Sequence, residues 1–209
     1  MPKRVLPLHL PNSNMLSMLE LIKKLRESTE CSIGDCKKAL DEAKGDFEKA
    51  KTVLMLSAAK TAAKKSARET KEGIVATYLH SNNKIGVIIE LLSETDFVAK
   101  NAAFSDLAHN IALHIAAMNP QYISIEEIPK DVYQAVYAQA EEEVAKMGKP
   151  SKIAKDIVEG KVQAYFGAQS LLSQPYVKDQ DKTISDLMKE AIAKFGENIK
   201  VARFTRFEL

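Results

Sequence analysis

Asp96 and Phe97 are the residues whose types and setting most strongly suggest a function. An apolar, β-branched run ending at Leu92 gives way to Ser93-Glu94-Thr95, and a long helical pattern follows. One carboxylate and one large aromatic thus stand side by side at a strand-to-helix junction. Thr95 or Asp96 suits the cap of that helix, where a side-chain oxygen accepts the free amides of the first turn. In the plainer reading this is only a helix start, with Phe97 tucked into the core. In the sharper reading both side chains project from a corner between two rigid elements and are pushed into another protein.

Other chemistry is sparse. Cys31 and Cys36 are five residues apart, a rotation of about 140° on a helix, so their thiols diverge and share neither a metal nor a disulfide. Both read as packing residues of a reduced, intracellular protein. His9, His80, His109 and His114 have no metal-ligand spacing with cysteines or carboxylates. No glycine pattern fits a phosphate-binding loop or a dinucleotide fingerprint, and no Ser or Cys sits in a nucleophile elbow. The acidic pairs Glu126-Glu127 and Glu141 to Glu143 read as solvated. The chain reads as a non-enzyme without a cofactor.

The 209 residues suffice for one average domain plus a small one. A hydrophobic fraction of 45% and a charged fraction of 28% are ordinary for a globular protein. The net charge of +2 is too small for a typical nucleic-acid binder, so no direct nucleic-acid contact is expected. No apolar run is long enough to span a bilayer.

The elements that must position the corner follow in order. Residues 1–15 read as an extension broken by Pro2, Pro7 and Pro11, either an organellar transit remnant or the product of an upstream start. Residues 16–56 form a three-helix domain. Its stripes are Met18, Ile22 and Leu25; then Ile33, Cys36, Leu40 and Ala43, capped by Ser32 with Asp35 three residues on; then Phe47, Ala50, Val53 and Leu54, capped by Asp46. Gly45 ends the second helix. Residues 57–72 form an Ala/Lys-rich helical linker whose Lys60, Lys64 and Arg68 make one basic face. No aromatic is interleaved for base stacking, so a solvated helix is favoured over an RNA patch.

Residues 73–209 form the larger domain. Gly73–His80 and Lys84–Leu92 read as a hairpin turning at Asn82-Asn83. One long helix is predicted from Phe97 to Met118, with Phe104, Leu107, Ala108, Ile111 and Ile115 inward. Further helices are predicted over Lys130–Met147, over Ser151 to about Leu172, and over Phe195's segment after the Thr183 cap. Asn198–Leu209 adds a strand to the hairpin. The fold class is α+β, a small antiparallel sheet with helices on one face.

Several stretches then resemble one family, the elongation factors Ts. Leu25-Arg26-Glu27-Ser28-Thr29, Asp35-Cys36-Lys37-Lys38-Ala39-Leu40 and Gly45-Asp46 resemble its N-terminal domain, which implies a ubiquitin-associated-like three-helix fold. Glu94-Thr95-Asp96-Phe97-Val98-Ala99-Lys100-Asn101 is similar to its hallmark motif. Gln174-Pro175-Tyr176-Val177-Lys178-Asp179, Gly196-Glu197-Asn198-Ile199 and Arg203-Phe204-Thr205-Arg206-Phe207-Glu208 resemble its C-terminal part. Glu30 and Gly34 depart from the family pattern, as do Leu92 and Ser93.

The resemblance is to the short form, with one core unit. It implies a homodimer whose 73–209 region dimerises, and no helical-hairpin insertion. It also implies a cytoplasmic factor, or one of an organellar matrix if the extension is a transit remnant. The implied partner is elongation factor Tu, for which the chain would be the guanine-nucleotide exchange factor. Phe97 would be the wedge and Asp96 the polar reader beside it, with Thr95 and Val98 holding the corner. Arg26, Ile33, Asp35, Lys37 and Lys38 would lie at the small domain's contact. The competing readings are a scaffold built on the three-helix domain and an RNA-binding module.

Overall fold

The computed structural model describes Ser17–Leu209 apart from Glu30 and Lys149, so the N-terminal extension and the Glu30 departure lie outside the described residues. The fold is α+β: the described residues form eight α-helices, a three-stranded sheet and a two-stranded one. The chain divides into two compact units between Ser57 and Ala58.

In the first unit, α1 (Met18–Thr29), α2 (Ile33–Glu42) and the start of α3 (Phe47–Lys65) enclose a core of Ile22, Leu25, Cys36, Ala39, Leu40, Ala50 and Leu54. The caps explain the boundaries. Ser17 and Glu20 exchange amide-to-side-chain bonds of 3.3 and 2.7 Å at the start of α1. Ser32 Oγ accepts the Asp35 amide at 3.1 Å, and Asp46 Oδ1 accepts the Lys49 amide at 3.1 Å. Gly45, at φ +83°, donates its amide to Leu40 O and stops α2. Two stripe residues are not in this core: Met18 and Ile33 are exposed, because the small bundle fills its interior with the neighbouring turns. α3 continues into the Ala/Lys-rich stretch and ends at Lys65 rather than running to Glu72; its Ala62 packs on the core of the second unit.

In the second unit, β1 (Glu72–Leu79) and β2 (Ile85–Ser93) form the predicted hairpin, with Asn83 at φ +57° in the turn. β5 (Lys200–Glu208) pairs antiparallel with β2, giving the order β1-β2-β5 with β2 central. Strand alternation points Val87, Ile89 and Leu91 inward. There they meet α5 (Ala102–Met118) and α8 (Ile184–Phe195) in one core that includes Phe104, Ile111, Ile115, Ile184 and Ile192. The other face of the sheet leaves Val75, Leu79, Ile88 and Phe207 exposed.

The helix predicted over Phe97–Met118 is two helices. A single turn, α4 (Asp96–Ala99), is followed by a break at Lys100 and Asn101. Asn101 is extended and its Oδ1 accepts the Ala103 amide at 2.9 Å, starting α5 afresh. α6 (Lys130–Ala145) and α7 (Ser151–Gln169), both expected from the sequence, pack together as a helical hairpin. Tyr133 stacks on Phe166 with ring centroids 5.2 Å apart, and Lys161 pairs with Glu143 at 2.7 Å, so the two helices run antiparallel. They enclose a separate cluster of Val144, Val158, Val162 and Phe166. α7 passes Gly160 unbroken. After it, β3 (Pro175–Tyr176) and β4 (Asp179–Thr183) make the short second sheet, and Thr183 with Asp186 forms a complete capping box on α8. Among the described residues no helix is long and apolar enough to cross a membrane.

Gly73 is where the hairpin meets the corner. It has φ +157°, and a Cβ there would stand 2.3 Å from Leu91 O and 2.8 Å from Leu92 Cα. Both neighbours are backbone and cannot move aside. Gly73→Ala is expected to destabilise the second unit by about 1–3 kcal/mol, read as a lower thermal unfolding midpoint; an unchanged midpoint would mean that the hairpin relaxes freely.

Candidate functional site

The corner begins where β2 loses its partner. Ser93 is the last paired residue of β2, is fully buried, and donates its hydroxyl to Thr95 O at 3.0 Å. Thr95, at φ −127° and ψ 156°, caps α4 by accepting the Val98 amide on its Oγ1 at 3.5 Å. The Thr95 alternative for the cap is therefore the one realised. Successive helical residues turn by about 100°, so one turn cannot bury them all. Val98 and Ala99 go into the core, at 4% and 8% exposure, and Phe97 is left pointing outward at 81%.

Phe97 is therefore not a core residue, and the plainer reading of it fails. Burying a phenylalanine side chain is worth about 1.5–3 kcal/mol, and the isolated chain forgoes most of that. Asp96, beside it, is exposed and bonds Lys100 Nζ at 2.7 Å, one turn on. That hydrogen bond, then the lysine's charge, holds the carboxyl below its usual range. The corner thus offers an exposed apolar ring next to an ionised carboxylate.

A second loop holds this one. Glu197 Oε2 accepts the Glu94 and Thr95 amides at 3.1 and 3.0 Å, and its Oε1 accepts the Thr95 hydroxyl at 2.6 Å. In return Glu94 Oε1 accepts the Asn198 amide at 2.6 Å, while Arg68 lies 3.5 Å from Glu94 Oε2. Asn198 Nδ2 donates to Arg68 O at 2.8 Å, and Lys65 Nζ donates to Gly196 O. The sequence reading did not assign Glu197, Asn198 or Lys100 a role. Lys100 could have been found from its i, i+4 spacing to Asp96. Glu197 carries no local signal, being 102 residues from Thr95.

The remaining candidates lie in the first unit. Arg26, Ile33, Asp35, Lys37 and Lys38 are all exposed. Ile33 and Lys37 are neighbours on α2 by their i, i+4 spacing, at the exposed edge of the stripe whose Cys36, Ala39 and Leu40 are buried. Ile33, 58% exposed, is the apolar member of that pair. Asp35 is engaged as the cap partner, accepting the Ser32 hydroxyl at 2.7 Å. Cys36 is buried, its thiol pushed up by burial. Among the described residues no group of three or more His, Cys, Asp or Glu could hold a metal ion.

A family model described as "Elongation factor TS" matches residues 48–209. The chain belongs to the elongation factor Ts family. Curated members agree along almost the whole length. The elongation factor Ts of Fervidobacterium nodosum is 46% identical over 190 residues, covering 91% of this chain and 96% of that protein. That of Thermotoga petrophila is 48% identical over 194 residues, covering 91% and 95%. That of Thermosipho melanesiensis is 46% identical over 188 residues, covering 90% and 96%. As an elongation factor Ts family member the chain is a translation elongation factor, a component of protein biosynthesis.

Proposed function

We propose that this chain is the guanine-nucleotide exchange factor of elongation factor Tu and breaks or forms no covalent bond itself. The observation that carries the reading is the exposed Phe97 ring beside the ionised Asp96, on a corner whose next two residues are buried. An exposed aromatic on a preorganised support is the kind of residue that dominates binding energy at protein interfaces. Phe97 enters between helices of the GTPase, Asp96 reads a polar group beside it, and Thr95 and Val98 hold the corner. The displaced helices disturb the Mg²⁺ and phosphate site, and GDP leaves. The exposed face of α2, with Ile33, Asp35, Lys37 and Lys38, and Arg26 of α1 contact the GTPase separately.

The effect is a coupling between two ligands of one protein. The factor binds the nucleotide-free GTPase best, so it weakens nucleotide binding by the factor by which nucleotide weakens its own. The test is release of a fluorescent GDP analogue from elongation factor Tu with and without the chain. Acceleration supports the reading; a folded chain that leaves the rate unchanged overturns it in favour of a scaffold.

The second unit serves as the dimerisation domain in this reading. Support comes from the outer face of the sheet, where Val75, Leu79, Ile88 and Phe207 are exposed on the same face as the 2.6 Å Glu90–Arg203 pair. A second copy would cover the apolar residues with their own kind. Ile88→Lys is expected to convert a dimer to a monomer at micromolar concentration, read by light scattering after size exclusion. A wild-type monomer under those conditions would remove the proposal.

A further inference from the structure

We propose that Glu197 is the positioning residue of the Asp96–Phe97 corner, and that its carboxylate sets the direction in which Phe97 points. The proposal deepens the exchange reading and rests on it. The amides of Glu94 and Thr95 lie between the last paired residue of β2 and the first turn of α4, where neither element supplies an acceptor. Glu197 supplies one to both through a single oxygen, at 3.1 and 3.0 Å. Its other oxygen accepts a hydrogen bond from the Thr95 hydroxyl at 2.6 Å. That fixes the hydroxyl's rotation and leaves its lone pair toward Val98 N, so the same carboxylate also orients the α4 cap. These are charge-assisted bonds, among the stronger ones available to a loop.

The return bond from the Asn198 amide to Glu94 Oε1 at 2.6 Å makes the tie reciprocal, and Asn198 Nδ2 reaches on to Arg68 O. Three chain segments therefore meet at one corner: the end of β2, the turn after α8, and the stretch after α3. None of the Glu197 bonds touches the apolar core. Losing them exposes two amides to water at a part-exposed site, which costs the fold little. It does cost preorganisation, because the wedge must then be ordered each time it binds. Glu197 itself touches no partner in this scheme and acts through Thr95 and α4.

The experiment uses the full chain with elongation factor Tu, and reads both release of the fluorescent GDP analogue and affinity for the nucleotide-free GTPase by calorimetry. Glu197→Ala is expected to weaken that affinity about tenfold, and to do so by less than about twofold in a Phe97→Ala background, since residues acting as a unit are non-additive. Glu197→Gln, which keeps an acceptor for both amides, is expected to recover part of the loss. Hydrogen exchange is expected to quicken at the Glu94 and Thr95 amides and to stay unchanged at Ile89 and Leu91. Wild-type affinity and release in Glu197→Ala would overturn the positioning role alone. An equal loss with and without Phe97, or lost protection throughout β2, would also overturn it, assigning Glu197 a general structural role. A wild-type chain that fails to accelerate release would overturn the exchange reading beneath it.

Discussion

Phe97→Ala is expected to slow GDP release from elongation factor Tu about a hundredfold, with the fold intact, a loss typical of an aromatic hot spot truncated at an interface. The ring is 81% exposed in the free chain. Its neighbours Val98 and Ala99 carry the packing of α4, and Thr95 carries its cap. Stability should therefore shift by no more than about 0.5 kcal/mol, as for ordinary surface substitutions. Two measurements decide the matter, the release rate and a denaturant midpoint on the same sample. A slow rate with an unchanged midpoint supports the wedge. A wild-type rate would return Phe97 to the status of an exposed side chain without a role. Asp96→Ala separates the two halves of the corner, because it removes the carboxylate and its bond to Lys100 without touching the ring.

The second large effect is expected at His114, which lies in the core of the second unit. It is fully buried on α5, and its two ring nitrogens are spoken for. The Val177 amide donates to Nδ1 at 3.2 Å, so Nδ1 is unprotonated, and Nε2–H donates to Gln174 Oε1 at 3.0 Å. Gln174 in turn donates to Ala168 O at 2.7 Å. One neutral imidazole thus ties α5 to the end of α7 and to the short β3–β4 sheet. His114→Ala would leave a cavity and two buried polar groups without partners, a loss of about 3–5 kcal/mol, measurable by urea unfolding.

The same site predicts an acid dependence. Burial pushes the His114 pKa below its ordinary value, with the Gln174 bond opposing in part. The unfolded chain then binds its proton first as pH falls. Stability from the neutral ring is fully present above about pH 6.5 and declines below it, with a slope of at most about 1.4 kcal/mol per pH unit. Tyr176, the ring beside it, is pushed up by burial and stays neutral in this window. Asp46, Asp96 and Glu143 are held low by bonds from Lys49, Lys100 and Lys161, so their contribution is lost only at lower pH. His114→Gln should flatten the decline between about pH 7 and 5. A wild-type curve already flat over that range would refute the assignment.

What was legible in the sequence was whatever a short window determines. The Asn82-Asn83 turn, the Thr183 and Ser32 caps, the Gly45 stop and the inward face of α5 follow from spacing and side-chain chemistry. The break at Lys100-Asn101 was missed because the apolar period carries across it, while Asn101 competes locally as a cap. Met18 and Ile33 satisfied a helical stripe, but a bundle this small has too little interior to use every apolar residue. The two candidate sites were legible only in part. Asp96 and Phe97 could be singled out by type, but their exposure depends on which residues of one turn the core accepts. The brace from Glu197 and the buried His114–Gln174 pair span 60 or more positions and have no periodic trace.

The order β1-β2-β5 has a kinetic consequence. The β1–β2 hairpin is local and closes on a microsecond scale, whereas β2–β5 pairing joins Ile85 to Glu208 across most of the second unit. Contacts of such long separation form late, because a large loop must close before any of them is gained. β5 also follows every other described element in chain order, and the Gly196–Asn198 turn that braces Thr95 comes immediately before it. During synthesis the small helical unit, the hairpin and α5 can therefore be complete while the corner is still unbraced. If Phe97 acts as the proposed wedge, it is directed only once the Gly196–Asn198 turn has formed, so a chain in which β5 has not yet paired is expected to carry the motif without the proposed activity.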